Sequence, residues 1–196
     1  MTPARLRGLL LAATAVVAGL VFLAWSQLWF TLSLAASTGE PEALEVRGDV
    51  AASALAPLAL AVLAIVAALA LAGPVFRLVF GVLEALLGVC VILVTAVSLG
   101  EPVAASAHAI TDATGIAGVD SIAALVESVD VSVWPAVAIV AGALVIVVGA
   151  LVALTARRWP VSGRRYARTR LTAASDDPVA EWDALSEGDD PTSAAR

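Results

Sequence analysis

One acidic residue stands alone inside an otherwise uncharged stretch: Glu84, seven positions after Arg77. Seven residues make nearly two helical turns, so the pair would share one face of a helix. Glu84 lies about 9 Å into the apolar run that opens at Leu78. A carboxylate there is costly and points to an ion or proton relay, or to a substrate contact. A relay needs further members, and no second acid or base lies in the other apolar runs. A structural role is therefore the preferred reading: Glu84 packs in a helix seam, reached by Arg77 or by a water defect.

Other chemistry lacks its parts. His108 is the only histidine and Cys90 the only cysteine, so no disulfide within the chain and no cysteine cluster can form. No phosphate loop, metal-ligand spacing or nucleophile–base pair is present, and neither catalysis nor a cofactor or metal is expected. Cys90 is expected to be a small buried apolar residue. Composition agrees with a membrane chain: the 196 residues are 61% hydrophobic with a mean hydropathy of +0.97. A soluble domain uses about 45–50% apolar residues.

The elements that must position Glu84 are apolar runs: Gly8–Ser26, Val50–Phe76, Leu78–Gly100 and Val131–Ala156. Each matches the roughly 20 residues needed to cross a ~30 Å hydrocarbon layer. Spans are expected near 8–28, 51–73, 78–99 and 134–156, within a membrane domain of residues 1–156. Arg5, Arg7, Arg77, Arg157, Arg158, Arg164, Arg165, Arg168 and Arg170 fall on one side and Arg47 alone on the other. The positive-inside rule then places both termini in the cytoplasm. The first run is read as an uncleaved anchor, because it ends in an aromatic belt, Trp25 to Trp29, and not in a small-residue cleavage site.

Small residues recur along these runs. Arg77, Gly81, Glu84, Gly88, Val91, Thr95 and Ser98 form one stripe. Gly8, Ala12, Ala15, Gly19 and Ser26 form a second, and Ala138, Gly142, Gly149 and Ala156 a third. Such stripes let helices pack closely where lipid gives no hydrophobic drive.

Outside the spans, alternation in Thr31–Leu34 and Ala43–Val46 about Gly39-Glu40-Pro41 reads as a β-hairpin, against the alternative of an irregular loop. Asp120 followed by Ile122, Leu125, Val126 and Val129 predicts a short amphipathic helix ending before Trp134. Residues 157–196 form a tail, basic and then acidic. Arg157–Arg170 would attract anionic lipid rather than nucleic acid, with Trp159 and Tyr166 as interfacial anchors. Asp176 to Asp190 has too few apolar residues for a core and is expected to be disordered.

Two groups of residues carry a family resemblance. Arg158-Trp159-Pro160 with Gly163-Arg164-Arg165-Tyr166 follows the last span. Trp182-Asp183-Ala184-Leu185 precedes Glu187-Gly188-Asp189-Asp190-Pro191-Thr192. Together with four spans, the early Trp29 and the Gly/Arg-rich region around the third span, they resemble the tryptophan-biosynthesis-associated membrane protein family. Ser186 stands where that pattern usually has an acid. The resemblance implies a bacterial inner-membrane protein encoded near tryptophan synthesis genes, in a family with no agreed molecular activity.

The expected fold is therefore an all-α, four-helix transmembrane bundle with a small extracytoplasmic loop region and a disordered cytoplasmic tail. The expected role is that of an accessory or interaction protein. Trp182 and Leu185, an i, i+3 pair closed by the Gly188–Asp190–Pro191–Thr192 turn, could dock on a cytoplasmic partner. The rival reading is a small carrier or exporter subunit for tryptophan or a related aromatic metabolite, for which a homo-oligomer would supply the missing half.

Overall fold

The computed structural model describes residues 2–35, 42–156 and 159. The expected hairpin turn at 39–41 and the tail from residue 160, with its expected disorder, lie outside the described residues.

Three helices are long and apolar enough to cross a membrane: α1 (Pro3–Trp25), α4 (Pro74–Gly100) and α8 (Trp134–Thr155). Each starts with proline in its first turn, where the missing N–H costs no intrahelical bond. The second predicted span is different. It divides into a single turn, α2 (Gly48–Ala51), and a 17-residue helix, α3 (Leu55–Leu71). At 1.5 Å per residue α3 covers about 25 Å, short of a ~30 Å layer. Pro57 accounts for the division, because its ring clashes with the carbonyl four residues back and cannot continue a helix through Ser53. The expectation of four full spans is thus corrected to three membrane-length helices and one shorter apolar helix.

The four helices close a ring. α3 and α8 each pack against both α1 and α4, so α1 and α4 face one another across the bundle. At one end lies a three-stranded antiparallel sheet of β1 (Leu28–Leu34), β2 (Glu42–Arg47) and β3 (Val126–Val131), in the order β2-β1-β3. The hairpin predicted from alternation is present as β1 and β2. Phe30, Leu32 and Leu34 turn inward and are buried, continuous with Val21, Leu55, Val91 and Val145 of the bundle.

The structure departs from the sequence reading at this end. The amphipathic helix stops early: α7 runs only over Val119–Leu125, and Val126–Val131 becomes a strand. Its apolar spacing suits either form locally. The valines at 126, 129 and 131 favour a strand, and β1 supplies partners, pairing Leu32 with Val129 and Phe30 with Val131. Two further short helices, α5 (Pro102–Ala105) and α6 (Ala107–Thr114), lie between α4 and α7 in the chain, and Gly115 at φ +70° ends α6. Trp29 is no interfacial belt residue. It is fully buried, and its indole N–H donates to the Ala24 carbonyl at 2.8 Å, serving one of the open acceptors at the end of α1.

Candidate functional site

The site is built on a tight helix pair. Gly81 and Gly88 of α4 face Gly149 and Gly142 of α8. A Cβ on Gly88 would sit 2.7 Å from the Gly142 carbonyl oxygen, and one on Gly149 would sit 2.6 Å from the Ala85 nitrogen. Backbone therefore rests on backbone at two points one heptad apart on each helix, the small-residue packing that membranes favour. The seven residues of the α4 stripe named above are the buried residues of that helix. The α8 stripe is buried as well.

The α1 stripe is not. Gly8, Ala12 and Gly19 are exposed, and the buried set is Leu10, Thr14, Val17, Ala18, Val21 and Ala24. A shift of two residues at about 100° each turns the helix to its opposite face. Cys90 is likewise exposed on α4, not buried as expected.

Glu84 lies between the two glycine contacts and is fully buried. Across the ring, Thr14 Oγ1 stands 2.9 Å from Glu84 Oε1 and 3.0 Å from the Leu10 carbonyl oxygen. Thr14 is itself fully buried. Glu84 Oε2 is buried and meets no hydrogen-bond partner among the described residues. No ion pair joins Glu84 to Arg77 among the described residues, so the reach of Arg77 toward it is not realised. Thr14 was missed from sequence, although a signal exists. It is the only hydroxyl between Arg7 and Ser26.

Arg77 serves the other end of α4. It is 3% exposed, and its guanidinium carbon lies 5.3 Å from the centre of the Trp159 ring, within cation–π range. The Trp159 indole N–H donates to Thr155 Oγ1 at 3.1 Å, and the ring is 2% exposed. Trp159, expected as an interfacial anchor, is buried within the protein. Nearby, Arg7 donates to the Ala70 carbonyl at the end of α3, a favourable place for a cation. Toward the sheet, Ser98 Oγ donates to the Ala51 carbonyl at 2.9 Å. The polar members of the stripe thus tie α4 to Trp159, to α1 and to α2.

Beyond this seam, two apolar hollows of about 510 and 580 Å³ meet at Glu101 and Ala104 near the sheet end. His108 and Asp112 approach to 3.7 Å on the exposed face of α6. Among the described residues no group of three acidic, histidine or cysteine side chains could hold a metal ion. Arg165, Tyr166, Trp182, Leu185, Gly188, Asp190, Pro191 and Thr192 lie outside the described residues.

No curated protein matches this chain. A family model described as tryptophan-associated transmembrane protein matches residues 11–192. That match begins within α1, takes in the whole of α4 and α8 and runs on to Thr192, the last residue of the acidic Pro-Thr motif, so the chain belongs to the tryptophan-associated transmembrane protein family.

Proposed function

We propose that this protein is an accessory factor of tryptophan biosynthesis in the bacterial inner membrane, working by contact with a soluble cytoplasmic partner and not by catalysis. Both termini face the cytoplasm, as the arginine asymmetry argues. The observation that carries the reading is the extent of the family match, which continues some forty residues past the last helix. The family model therefore covers the tail as well as the spans. Just before the tail in the chain, Trp159 is held by Arg77 and Thr155. In this reading Arg157–Arg170, with Arg165 and Tyr166, rests on anionic lipid, and the Trp182/Leu185 pair with the Gly188–Thr192 turn docks on the partner.

The test is a pull-down with the full chain. Trp182→Ala should remove most of the partner contact, because an aromatic anchor dominates a small interface. A silent Trp182→Ala, with contact fading instead as salt screens exposed charges, would overturn the docking motif.

A second reading has one observation in its favour. Glu84, buried and bonded to Thr14 within the membrane-length helices, is the kind of group that marks a transport path. It supports a small carrier or exporter subunit for tryptophan or a related aromatic metabolite, completed by a second copy. Altered export of labelled tryptophan on deletion, with no partner recovered, would favour it.

A further inference from the structure

The Thr14 hydroxyl has one proton and two acceptors in reach, Glu84 Oε1 at 2.9 Å and the Leu10 carbonyl at 3.0 Å. It donates to one at a time. If residue 84 is a carboxylate, it takes that proton for one oxygen, while the other oxygen is buried with no donor among the described residues. Half of a full negative charge is then left without a hydrogen bond, which is the expensive case.

A carboxylic acid uses the same atoms completely. Its O–H donates to Thr14 Oγ1, and the Thr14 hydroxyl donates to the Leu10 carbonyl. Both protons then have acceptors, and only a neutral carbonyl oxygen is left over. Among the described residues of the four long helices, charge compensation is distant. The other titratable groups on the four long helices are Arg5 and Arg7 near the start of α1, Arg77 near the start of α4, and the exposed Cys90. α3 and α8 carry none. Arg77 is about 10 Å from Glu84 along the helix axis and lies over Trp159.

We infer that Glu84 is a proton-binding site in the bundle interior, and that its proton joins α4 to α1 through Thr14 and Leu10. The placement gives that proton a mechanical consequence. α4 and α8 are locked by glycine contacts that need no proton, whereas among the described residues one hydrogen bond, Thr14 to Glu84, joins α1 to α4 directly. Losing the proton leaves a buried charge that draws in water, and water entering there loosens α1 against α4, while α3 and α8 still pack on α1.

Infrared spectroscopy of the full-length protein in bilayers at neutral pH tests the inference. Wild type should show a carboxylic-acid carbonyl band that is lost in Glu84→Gln and moves to higher frequency in Thr14→Val, where its hydrogen bond is gone. Glu84→Gln should stay folded, since the amide N–H can donate to Thr14 as the acid O–H does. Spectra of wild type and Glu84→Gln with no band difference would overturn the proton site. If Glu84→Gln does not fold, wild type against Thr14→Val decides: a shifted band supports the link, and no acid band or no shift defeats it. Raising the pH until the band fades should lower the exchange protection of α1, taken against the intrinsic exchange rate at each pH, in wild type but not in Glu84→Gln. Fading with α1 protection unchanged would overturn the hold on α1.

Discussion

The two sides of α4 are held in opposite ways. Toward α8 it presents Gly81 and Gly88, and the helices touch backbone to backbone through Gly142 and Gly149. Toward α1, across the ring, it presents Glu84, which meets a hydroxyl at 2.9 Å. The first contact depends on shape and fails when anything is added. The second depends on hydrogen bonding and fails when a polar atom is removed. A steric seam is permanent once formed, while a protonatable one can be opened without unfolding the helices beside it. The fold thus combines a fixed pair and an adjustable partner within one small bundle.

The largest effect that could break this comparison is at the steric seam. Gly149→Leu or Gly88→Leu should prevent accumulation of folded protein, because even a Cβ would lie 2.6 to 2.7 Å from backbone atoms of the facing helix. Gly149→Ala should already cost about 1–3 kcal/mol, the usual range for overpacking. Thermal unfolding in detergent, followed by size-exclusion chromatography, reads both. A Gly149→Leu protein that melts like wild type would mean that α4 and α8 do not meet as described.

Next comes the hydrogen-bonded side. Thr14→Val keeps the shape and removes the hydroxyl, so it should cost only about 1 kcal/mol, in line with buried hydrogen bonds in membrane bundles. Its melting shift should be clearly smaller than that of Gly149→Ala. Equal shifts would say that the Thr14 contact is as rigid as the glycine seam, and the distinction would collapse.

Smallest is the control on the outer face of α1. No atom lies within 4 Å of a Cβ built on Gly19, so Gly19→Ala should be neutral or stabilising by up to about 1 kcal/mol through helix propensity. Destabilisation comparable to Gly149→Ala would show that the exposed α1 stripe packs against something, most simply a second copy of this chain.

What could be read along the chain differed from helix to helix. The α4 stripe was legible because it is polar as well as small: Arg77, Glu84, Thr95 and Ser98 cannot all face lipid cheaply, so their spacing marks the inner face. On α1 the corresponding signal was alanine and glycine alone, which lipid tolerates as readily as protein, and the side chosen was the wrong one. Thr14, a single hydroxyl, held the information instead. At 126–131 the apolar spacing fitted a helix and a strand alike, and only the presence of β1 alongside decided between them.

Sequence by itself determined the membrane setting, the membrane-length helices α1, α4 and α8, and which faces of α4 and α8 turn inward. The hydrocarbon layer imposes length and polarity rules that each segment must satisfy alone. Tertiary structure decided the rest. It joined Thr14 to Glu84 across 70 positions of chain, set Arg77 over Trp159 and not against Glu84, and made β3 the third strand of the sheet. Each of these is a choice among partners that are equally acceptable locally. Such choices are settled only when the packed helices bring one partner within hydrogen-bonding or ring-contact distance and carry the others away.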